Sequence, residues 1–567
     1  MAKMTAAEAM VKILESEGVE VIFGIPGAGI LPFYSALNKS TKIKHYLARH
    51  EEGASHAADG YARASGKVGI CVGTSGPAGT NMVTGLYAAQ VDGIPLICIT
   101  GQTVTSQLGK DAFQAVDIAE IVKPVTKKSY CLKDGNQLPC VTREAFRIAR
   151  EGRPGPILID LPQDVQRKEI EFDPDSDSPL EIPKPAPDIR KINKSLDLIL
   201  TAKKPIMLMG GGVITADACD EFIELATYLS IPVVTTLMGK GGIPDIHPLY
   251  AGQVGTICNT PFGNNIFLDS DLVLGIGCRF SDRHTGPLDI YTRGRKFIHI
   301  DIEPTQIGRI IPTDIGIVSD AKLALQVMLK TAKMVTPKRT PDDRINSIPK
   351  LRDQYQRRLD FDQIPIKPQR VFKEINEFFD EDTVFVTCIG LNQIWSSQFQ
   401  RIFKPHHYLI AGGAGPLGWD LPAALGAKVA HPEKLTVNVV GDYGLGFCGE
   451  ELAMAMMYDI PVVIIVINNG YLGLIRQQEK FNFNMNFEVS TWYDGTMMDF
   501  VKWAEAYGAY GERVEEPHKI KAALKRAVSS GRPAVVEIIV ERETDAAMGA
   551  SIDKIIECEP LPIFKET

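Results

Sequence analysis

The chain has 567 residues, of which 45% are hydrophobic and 23% charged, and its formal net charge at pH 7 is −8. This length predicts two to four domains, and the acidic balance argues against non-specific nucleic-acid binding, which needs a basic surface. The longest aliphatic run, IPVVIIVI at 460–467, is too short to span a membrane, and the first residues contain no apolar signal core. We therefore expect a cytoplasmic protein that binds neither nucleic acid nor membrane.

Aliphatic strands alternate with amphipathic helices along the whole chain, a pattern typical of parallel α/β sheets. Two polar, proline-rich segments, at 173–190 and 333–350, divide the chain into thirds of ordinary domain size. We therefore predict domains at 1–175, 190–335 and 365–550.

The first third contains LARHEEGASHAADGYARASG at 47–66, which predicts a helix start with two adjacent glutamates, Glu51 and Glu52, behind an Arg–His pair. Pairs of this kind are common on solvated helix faces. The pattern alone leaves open whether one of the two carboxylates is buried for chemistry, and which one.

In the central third, strands run into glycine turns at 204–212 (KPIMLMGGG) and 271–280 (DLVLGIGCRF), and a third strand, FIHIDIEP at 297–304, ends in an acid. Glycines after a strand let a dinucleotide pyrophosphate approach the backbone, and an acid after a later strand can bind ribose hydroxyls. None of these segments is a full GxGxxG, and glycine at such a turn more often reflects tight packing. The nucleotide signal is weak by itself.

In the last third, the buried strand of VVGDYG at 439–444 ends at Asp442, and Asn469 follows 27 positions later at the end of another strand. Both positions lie at the carboxyl edge of a parallel sheet, where ligands bind. The Asp442 carboxylate, the Asn469 amide oxygen and the Tyr471 carbonyl form a set of hard oxygen ligands. Two phosphate oxygens and water would complete octahedral Mg²⁺ coordination. Either residue alone is commonly just a turn residue, but the pair predicts a metal–diphosphate site.

The first and last thirds also contain similar segments. YAAQVDGIPLICITG at 87–101 resembles AMAMMYDIPVVIIVINN at 453–469, and EGRPGPILIDLP at 151–162 resembles SGRPAVVEIIVE at 530–541. Any two parallel-sheet domains share strands of this kind. The matched spacing nevertheless favours two copies of one fold on either side of a different central domain.

Over essentially its whole length the chain resembles thiamine-diphosphate enzymes of the acetolactate synthase type. The Asp442–Asn469 arrangement resembles their Mg²⁺-diphosphate motif, and the Arg–His–Glu run ending at Glu51 resembles the start of their pyrimidine-binding helix. Further matching segments are GIPGAG at 24–29, GTSGPAGTN at 73–81 and DAFQAVDI at 111–118. The resemblance implies an α/β fold of three parallel-sheet domains, in which two homologous thiamine-diphosphate-binding domains flank a Rossmann-like FAD-binding domain.

The resemblance also implies roles for individual residues. Glu51 would hydrogen-bond the pyrimidine N1′ and promote the imino tautomer, whose nitrogen takes the proton from thiazolium C2. Glu52, one residue further along the helix, would point elsewhere as a solvated or ion-paired group. Leu417, otherwise a plain core leucine, would hold the cofactor bent. The implied contacts with thiamine diphosphate are Pro26, Gly27, Gly76, Gln114, Leu417, Gly441, Asp442, Tyr443, Asn469, Tyr471 and Leu472, and the implied Mg²⁺ ligands are Asp442, Asn469 and Tyr471.

A bound FAD that does no redox work in the main reaction is implied as well. Its implied contacts are Arg153, Gly210, Gly211, Gly212, Leu237, Met238, Arg279, Asp301 and Asp320, and the alternative for Arg153 is a packing or ion-pair role. In this family the pyrimidine and diphosphate halves of the site come from different subunits. The resemblance therefore implies a homodimer or homotetramer with active sites at subunit interfaces.

Within the family, the segments RFSDRHTG at 279–286, HIDIEPTQIGR at 299–309, IGLNQI at 389–394 and AGPLGW at 414–419 most resemble glyoxylate carboligases. These enzymes join two glyoxylates, release CO₂ and give tartronate semialdehyde. They characteristically carry valine where this chain has Glu51. The chain is thus expected to decarboxylate a 2-oxoacid and join the resulting enamine to a second carbonyl, with glyoxylate the first expectation for the donor.

The small anionic substrate needs a cation, and Arg283 is a candidate, with a structural or FAD contact as the alternative. Phe113 and Ile394 are further candidate substrate contacts. The alternatives for the whole protein are an acetolactate synthase acting on pyruvate, an FAD-dependent 2-oxoacid oxidoreductase, and a non-catalytic relative. The last has no need of an intact Glu51, Asp442 and Asn469 together.

Overall fold

The computed structural model describes residues 2–561. Its framework is three six-stranded sheets, each built from one third of the chain, and every strand pairing within them is parallel. Two small antiparallel pairs also occur, Ala2–Thr5 with Glu169–Phe172 and Met548–Ser551 with Lys554–Ile556. The predicted parallel α/β class is confirmed.

The first sheet has its strands in the order second, first, third, fourth, sixth, fifth, counted along the chain. In space these are Lys44–Leu47, Val21–Gly24, Gly69–Gly73, Leu96–Gln102, Pro156–Pro162 and Lys128–Cys131. The helices around it are Ala6–Ser16, Leu31–Leu37, Glu51–Ser65, Pro77–Asn81, Val83–Asp92, Ile118–Ile121, Leu138–Arg150 and Gln163–Arg167. Its central strands are buried at every position, as expected for a parallel sheet covered on both faces.

The last sheet repeats this strand order. In space it contains Tyr408–Ile410, Val384–Thr387, Thr436–Gly441, Val463–Asn468, Ala534–Ile539 and Tyr510–Val514. Its helices are Pro368–Phe378, Leu391–Phe399, Asp420–Ala430, Asp442–Leu445, Leu452–Met457, Gly473–Phe483, Phe500–Ala506 and Ile520–Ser529. The identical order in the first and last sheets is what the predicted internal repeat requires.

The central sheet is different. Its strands run in the order third, second, first, fourth, fifth, sixth: Tyr250–Gln253, Val233–Thr235, Pro205–Met209, Leu272–Ile276, Lys296–Asp301 and Ile315–Val318. This is the order of doubly wound dinucleotide-binding sheets, in which ligands bind where the order reverses. The helices are Ile189–Thr201, Gly211–Thr215, Cys219–Leu229, Pro261–Leu268, Asp282–Thr285, Leu288–Thr292, Ala321–Val335 and Asp343–Gln354.

Short 3₁₀ helices complete the structure at Ala28–Ile30, Thr105–Gln107, Lys123–Val125, Gly135–Gln137, Leu237–Gly239, Pro304–Gln306, Gly449–Glu451 and Pro517–Lys519. None of the helices within 2–561 combines the length and the apolar character needed to cross a bilayer.

The first and last sheets meet through two closely packed helices, Glu51–Ser65 and Asp420–Ala430. A Cβ added to Gly426 would lie 1.9 Å from the Ala57 carbonyl oxygen, and one added to Gly60 would lie 2.2 Å from the Ala423 oxygen. Glycine at both positions therefore lets the two backbones touch. As a result, the helix that begins at Glu51 is held against the C-terminal part of the same chain.

Candidate active site

Glu51 begins a helix just beyond the carboxyl end of the strand Lys44–Leu47. His50 caps this helix, because its Nδ1 accepts from the Glu52 amide at 3.1 Å, and acidic residues suit the positive end of a helix dipole. The Asn81 side-chain amide donates to Glu51 Oε2 at 2.9 Å. Among residues 2–561, Oε1 of Glu51 has no hydrogen-bond donor, so this half-buried carboxylate keeps one oxygen available.

Glu52 has a different environment. Its Oε1 lies 3.4 Å from Nε2 of His56, which is fully buried one helical turn later. Interaction with this imidazole is the main cause that holds the pKa of Glu52 below its ordinary value. The expectation that Glu52 turns away and pairs with another group agrees with this geometry.

The loops after three neighbouring strands converge near Glu51. A Cβ on Gly27 would lie 2.5 Å from the Thr74 Cβ, and one on Gly76 would lie 2.9 Å from the Gln114 Cβ. Gly76 adopts φ 62° and Gln114 φ 58°, so the close approach rests on left-handed backbone at both positions. The exposed Pro26 precedes Gly27 in the first of these loops. The predicted residues of the N-terminal half therefore form one cluster.

Asp442 and Asn469 leave the C-terminal sheet side by side, since Gly441 pairs in register with Ile467 on the neighbouring strand. Both side chains are buried. Burial raises the pKa of Asp442 to about 6, although the Thr491 hydroxyl donates to its Oδ2 at 2.7 Å. A divalent cation would offset the burial of this carboxylate, so the oxygen donors present fit a magnesium ion.

The remaining predicted residues of this half surround Asp442 and Asn469. Asn469 Oδ1 accepts from the Tyr471 amide at 3.3 Å, and Leu472 donates its amide to the Val489 carbonyl. Leu417 is half-buried, with its Cδ2 3.9 Å from the position of a Cβ on Gly444. It therefore adjoins the turn that starts at Asp442, and the exposed Tyr443 belongs to the same turn.

Three residues contribute to these sites without having been predicted from the sequence. Asn81 ends the GTSGPAGTN segment, whose match to the family was the one available signal. Thr491 and Arg542 carried no signal: Thr491 binds Asp442 from 49 positions away, and Arg542 lies 4.1 Å from the ring of Tyr471 and from that of Trp492. Arg542 also donates to the Gly470 carbonyl at 3.1 Å and so fixes the turn after Asn469.

A cavity of about 520 Å³ opens where the order of the central strands reverses, and all three thirds of the chain line it. Of the predicted FAD contacts, all but Gly210 line this cavity. They are Arg153, Gly211, Gly212, Leu237, Met238, Arg279, Asp301 and Asp320. Gly210 instead packs on the next turn, where its added Cβ would lie 2.1 Å from the Gly277 carbonyl oxygen. The volume is within the usual range for cofactor pockets.

Two guanidinium groups of the cavity lining, those of Arg153 and Arg279, interact with each other. Burial lowers the pKa of Arg153, and the neighbouring Arg279 guanidinium lowers it further. Arg279 has a carboxylate of Asp92 at 3.7 Å, whereas Arg153 donates to the Val91 carbonyl. Two guanidinium groups sharing a buried pocket favour an anionic ligand such as a diphosphate.

The two acids of the cavity that were predicted as FAD contacts, Asp301 and Asp320, have structural partners of their own. Asp301 accepts from the Glu303 amide at 2.9 Å at the end of its strand. Asp320 caps the helix Ala321–Val335 and lies 3.3 Å from the Lys184 ammonium. Asp301 is the better placed of the two for a ribose, because it ends the fifth strand, which lies one strand closer to the reversal point than the sixth strand that precedes Asp320.

The three candidate substrate contacts lie in different surroundings. Arg283 lines the central cavity and donates to Gln393 Oε1 at 3.0 Å. Gln393 and Ile394 belong to a helix whose start adjoins the Asp442 site, since a Cβ on Gly441 would lie 3.4 Å from Asn392 Oδ1. Ile394 itself is buried in the hydrophobic core, and Phe113 is 86% exposed. Contact of either with a substrate stays a prediction.

Comparison with known proteins identifies the family. Models of the thiamine pyrophosphate enzyme match the N-terminal TPP binding domain at 4–121, the central domain at 192–328 and the C-terminal TPP binding domain at 388–538. The chain is 46% identical to a glyoxylate carboligase of Escherichia coli O157:H7, covering 99% of this chain and 97% of the relative. It is 40% identical to a probable acetolactate synthase large subunit of Methanococcus aeolicus (98% and 95% covered) and 39% identical to an acetolactate synthase large subunit of Corynebacterium glutamicum (95% and 87% covered). The chain therefore belongs to the thiamine diphosphate (thiamine pyrophosphate) enzymes, in the group of the glyoxylate carboligases and acetolactate synthases.

Proposed function

We propose that this protein is a carboligase that converts two glyoxylates to tartronate semialdehyde and CO₂. The observation that carries the proposal is the 46% identity to a glyoxylate carboligase over nearly the whole length of both chains. The acetolactate synthases in the comparison reach 38–42%. The proposed domains are a pyrimidine-binding domain at 1–175, an FAD-binding domain at 190–335 and a diphosphate- and Mg²⁺-binding domain at 365–550.

Thiamine diphosphate, when bound, supplies a nucleophilic carbon and an electron sink for decarboxylation. Asp442, Asn469 and the Tyr471 carbonyl would hold Mg²⁺ against its phosphates. This role is supported by the burial of the Asp442 and Asn469 side-chain oxygens at one edge of the sheet and by the raised pKa of Asp442. Leu417, beside the same turn, would bear on the thiazolium side of the cofactor.

Glu51 would hold a proton at the pyrimidine N1′ through its free Oε1. The Asn81 amide donates to Oε2 and so fixes the plane of the carboxylate in advance. A carboxylate held in this way can exchange a proton without reorienting, which is the requirement for general acid–base catalysis. Gly27 and Gly76 would help to shape the same pocket, because side chains there would collide with Thr74 and Gln114 and push these loops apart.

The two halves of the proposed site belong to different sheets, and we propose that they are completed by a second subunit in a homodimer or homotetramer. Exposed aromatic side chains support this arrangement. Phe113 of the N-terminal cluster is 86% exposed, and Tyr443 and Phe447 beside Asp442 are 40% and 42% exposed. Aromatic residues are enriched in the buried parts of protein interfaces.

The central cavity is proposed to bind FAD as a structural, non-redox cofactor. The paired guanidinium groups of Arg153 and Arg279 suit its diphosphate, and Asp301 suits a ribose. Arg283, at the wall of the cavity, would instead face the substrate carboxylate, held by Gln393. An FAD-dependent oxidoreductase is the alternative, and stoichiometric flavin reduction by a 2-oxoacid would identify it.

A second candidate activity is acetolactate synthesis from pyruvate. It is favoured by Glu51, since glyoxylate carboligases characteristically carry valine at this position. The first experiment is therefore a product analysis. The protein is reconstituted with thiamine diphosphate, Mg²⁺ and FAD, glyoxylate and pyruvate are supplied separately, and CO₂ and the carbon–carbon product are quantified.

Tartronate semialdehyde from glyoxylate, with little acetolactate from pyruvate, is the expected result. Acetolactate as the dominant product would refute the glyoxylate proposal and move the protein to the synthase branch. The variant Asp442→Ala serves as the control, because product that persists without this proposed Mg²⁺ ligand would not come from the proposed site.

A further inference from the structure

One buried carboxylate outside the proposed chemistry is bonded to the backbone just ahead of Glu51. Glu451 Oε1 accepts from the Arg49 amide at 2.9 Å and from the His50 amide at 3.0 Å, and its Oε2 lies 3.1 Å from the Arg49 nitrogen. These contacts join residues about 400 positions apart in the chain. The side chain of Glu451 has no exposed surface.

The surroundings of Glu451 are shaped to receive it. Gly53 lies in the first turn of the helix Glu51–Ser65, and a Cβ added to it would lie 2.2 Å from Glu451 Oε1. Seven residues after Glu451, the Tyr458 hydroxyl accepts from the Leu47 amide at 2.9 Å, and its ring packs at a tilt against that of Tyr46, with the ring centroids 4.9 Å apart. The segment 451–458 thus hydrogen-bonds to the turn between strand and helix at two places, through Tyr458 at Leu47 and through Glu451 at Arg49 and His50.

Burial of this carboxylate destabilises the folded chain, and this cost indicates that its hydrogen bonds have a role. Burial raises the pKa of Glu451 to about 7, and nearby Glu450 adds to the rise, while the bonds from His50 and Arg49 oppose it. An apolar residue would fill the space without this cost. The partly buried Arg49 and His50 amides, in contrast, need an acceptor, since a backbone amide that is shielded from water and left unpaired is destabilising.

We propose that Glu451 is a positioning residue that sets the height and direction of the Glu51 carboxylate by holding the two peptide groups before it. The inference rests on the proposed role of Glu51 at the pyrimidine ring. Without the acceptor, the Arg49 and His50 amides would turn to other partners and the helix start would shift. A displacement of about 1 Å at a reacting group can lower a rate by about 100-fold.

The test uses the full chain and the variants Glu451→Ala and Glu451→Gln, with Glu450→Gln as the matched control on the same turn. The first readout needs no cofactor: amide hydrogen exchange, followed by mass spectrometry, of the peptide that covers Leu47 to Gly53. The second is the exchange rate of the thiazolium C2 proton with solvent deuterium in the holoenzyme. The third is the same exchange rate in the double variant Glu51→Gln/Glu451→Ala, compared with Glu51→Gln alone.

We expect Glu451→Ala to lose amide protection in this peptide and to slow C2 exchange by about 100-fold. Glu451→Gln keeps an acceptor oxygen for both amides and should slow exchange by less than about tenfold, the equivalent of one hydrogen bond. Glu450→Gln should behave as the unsubstituted protein. On Glu51→Gln, the alanine substitution should add little, because both changes act on one group.

Two results would overturn the inference while leaving the proposed function intact. One is unchanged amide protection in Glu451→Ala and Glu451→Gln, and the other is lost protection with normal C2 exchange, which would make Glu451 merely structural. If Glu451→Ala does not fold, Glu451→Gln alone decides. Its C2 exchange should stay within about tenfold of that of the unsubstituted protein, because glutamine keeps the acceptor oxygen. A slowdown as large as that in Glu51→Gln would refute the inference. Normal C2 exchange in Glu51→Gln would refute the proposed role of Glu51, and the inference with it.

Discussion

The contact between the helices Glu51–Ser65 and Asp420–Ala430 gives the sharpest prediction about stability. In Gly426→Ala the new Cβ would lie 1.9 Å from the Ala57 carbonyl oxygen and 2.8 Å from the Tyr61 nitrogen. Both neighbours are backbone atoms within a helix, so neither can rotate away. The helices must separate by more than 1 Å to reach an ordinary contact, and overpacking of this kind costs about 1–3 kcal/mol.

Thermal unfolding followed by circular dichroism tests this. Each kcal/mol lowers the melting temperature of a domain of 150–250 residues by about 2–4 °C, so a fall of about 2–12 °C is expected. Gly18→Ala is the control, because its Cβ would meet nothing within 4 Å and it carries only the strain of φ 78°. It should cost about 1 kcal/mol and leave carboligation unchanged. A melting temperature of Gly426→Ala equal to that of the unsubstituted protein would refute the reasoning.

Three further predictions concern single carboxylates. Asp442→Asn should weaken Mg²⁺-dependent binding of thiamine diphosphate by at least about tenfold in titration calorimetry, because the metal loses its anionic ligand; equal affinity would contradict the metal site. Glu51→Gln should lower kcat by about 10²–10⁴-fold with little change in cofactor affinity. Glu52→Gln should change kcat far less, because the Glu52 side chain pairs with His56 instead; similar losses in both would contradict the assignment. Burial raises the pKa of Asp160 from 3.8 to about 7. At a pH between these two pKa values, the Asp160 carboxyl keeps its proton in the folded protein but has released it in the unfolded chain. The free energy of unfolding should therefore fall by about 4 kcal/mol as the pH rises from about 4 to 7. In urea unfolding, Asp160→Asn should remove this part of the pH dependence, and an unaltered pH profile would refute it.

The fold class and one half of the site could be predicted because their signals are local. Runs of β-branched residues mark the strands that end before Asp442 and Asn469, and parallel strands end at one edge of a sheet. In the central third the glycine turns were a weak signal by themselves, and it was the resemblance to the family that implied the residues of the cavity lining, with Gly210 the exception. There the signal was ambiguous, because a glycine that packs on Gly277 and one that faces a ligand follow a strand in the same manner.

The strand order itself was outside the reach of such signals. The pairs of similar segments indicated a repeat, but only the structure establishes that the first and last sheets share one order and that the central sheet reverses after its first strand. Pairing between strands far apart in the chain depends on how the intervening helices pack, and periodicity along one segment carries no information about its neighbour.

By itself, then, the sequence determined the alternation of strands and helices, the turns that carry Asp442 and Asn469, and the helix start at Glu51. Tertiary structure alone decided that Ile394 is enclosed in the core, that Thr491 bonds to Asp442 and Arg542 to the turn after Asn469, and that Glu451 holds the turn before Glu51. The physical reason is the range of the interactions. Backbone propensity and burial patterns act between neighbours in the chain, whereas these hydrogen bonds form only once separate sheets have packed together.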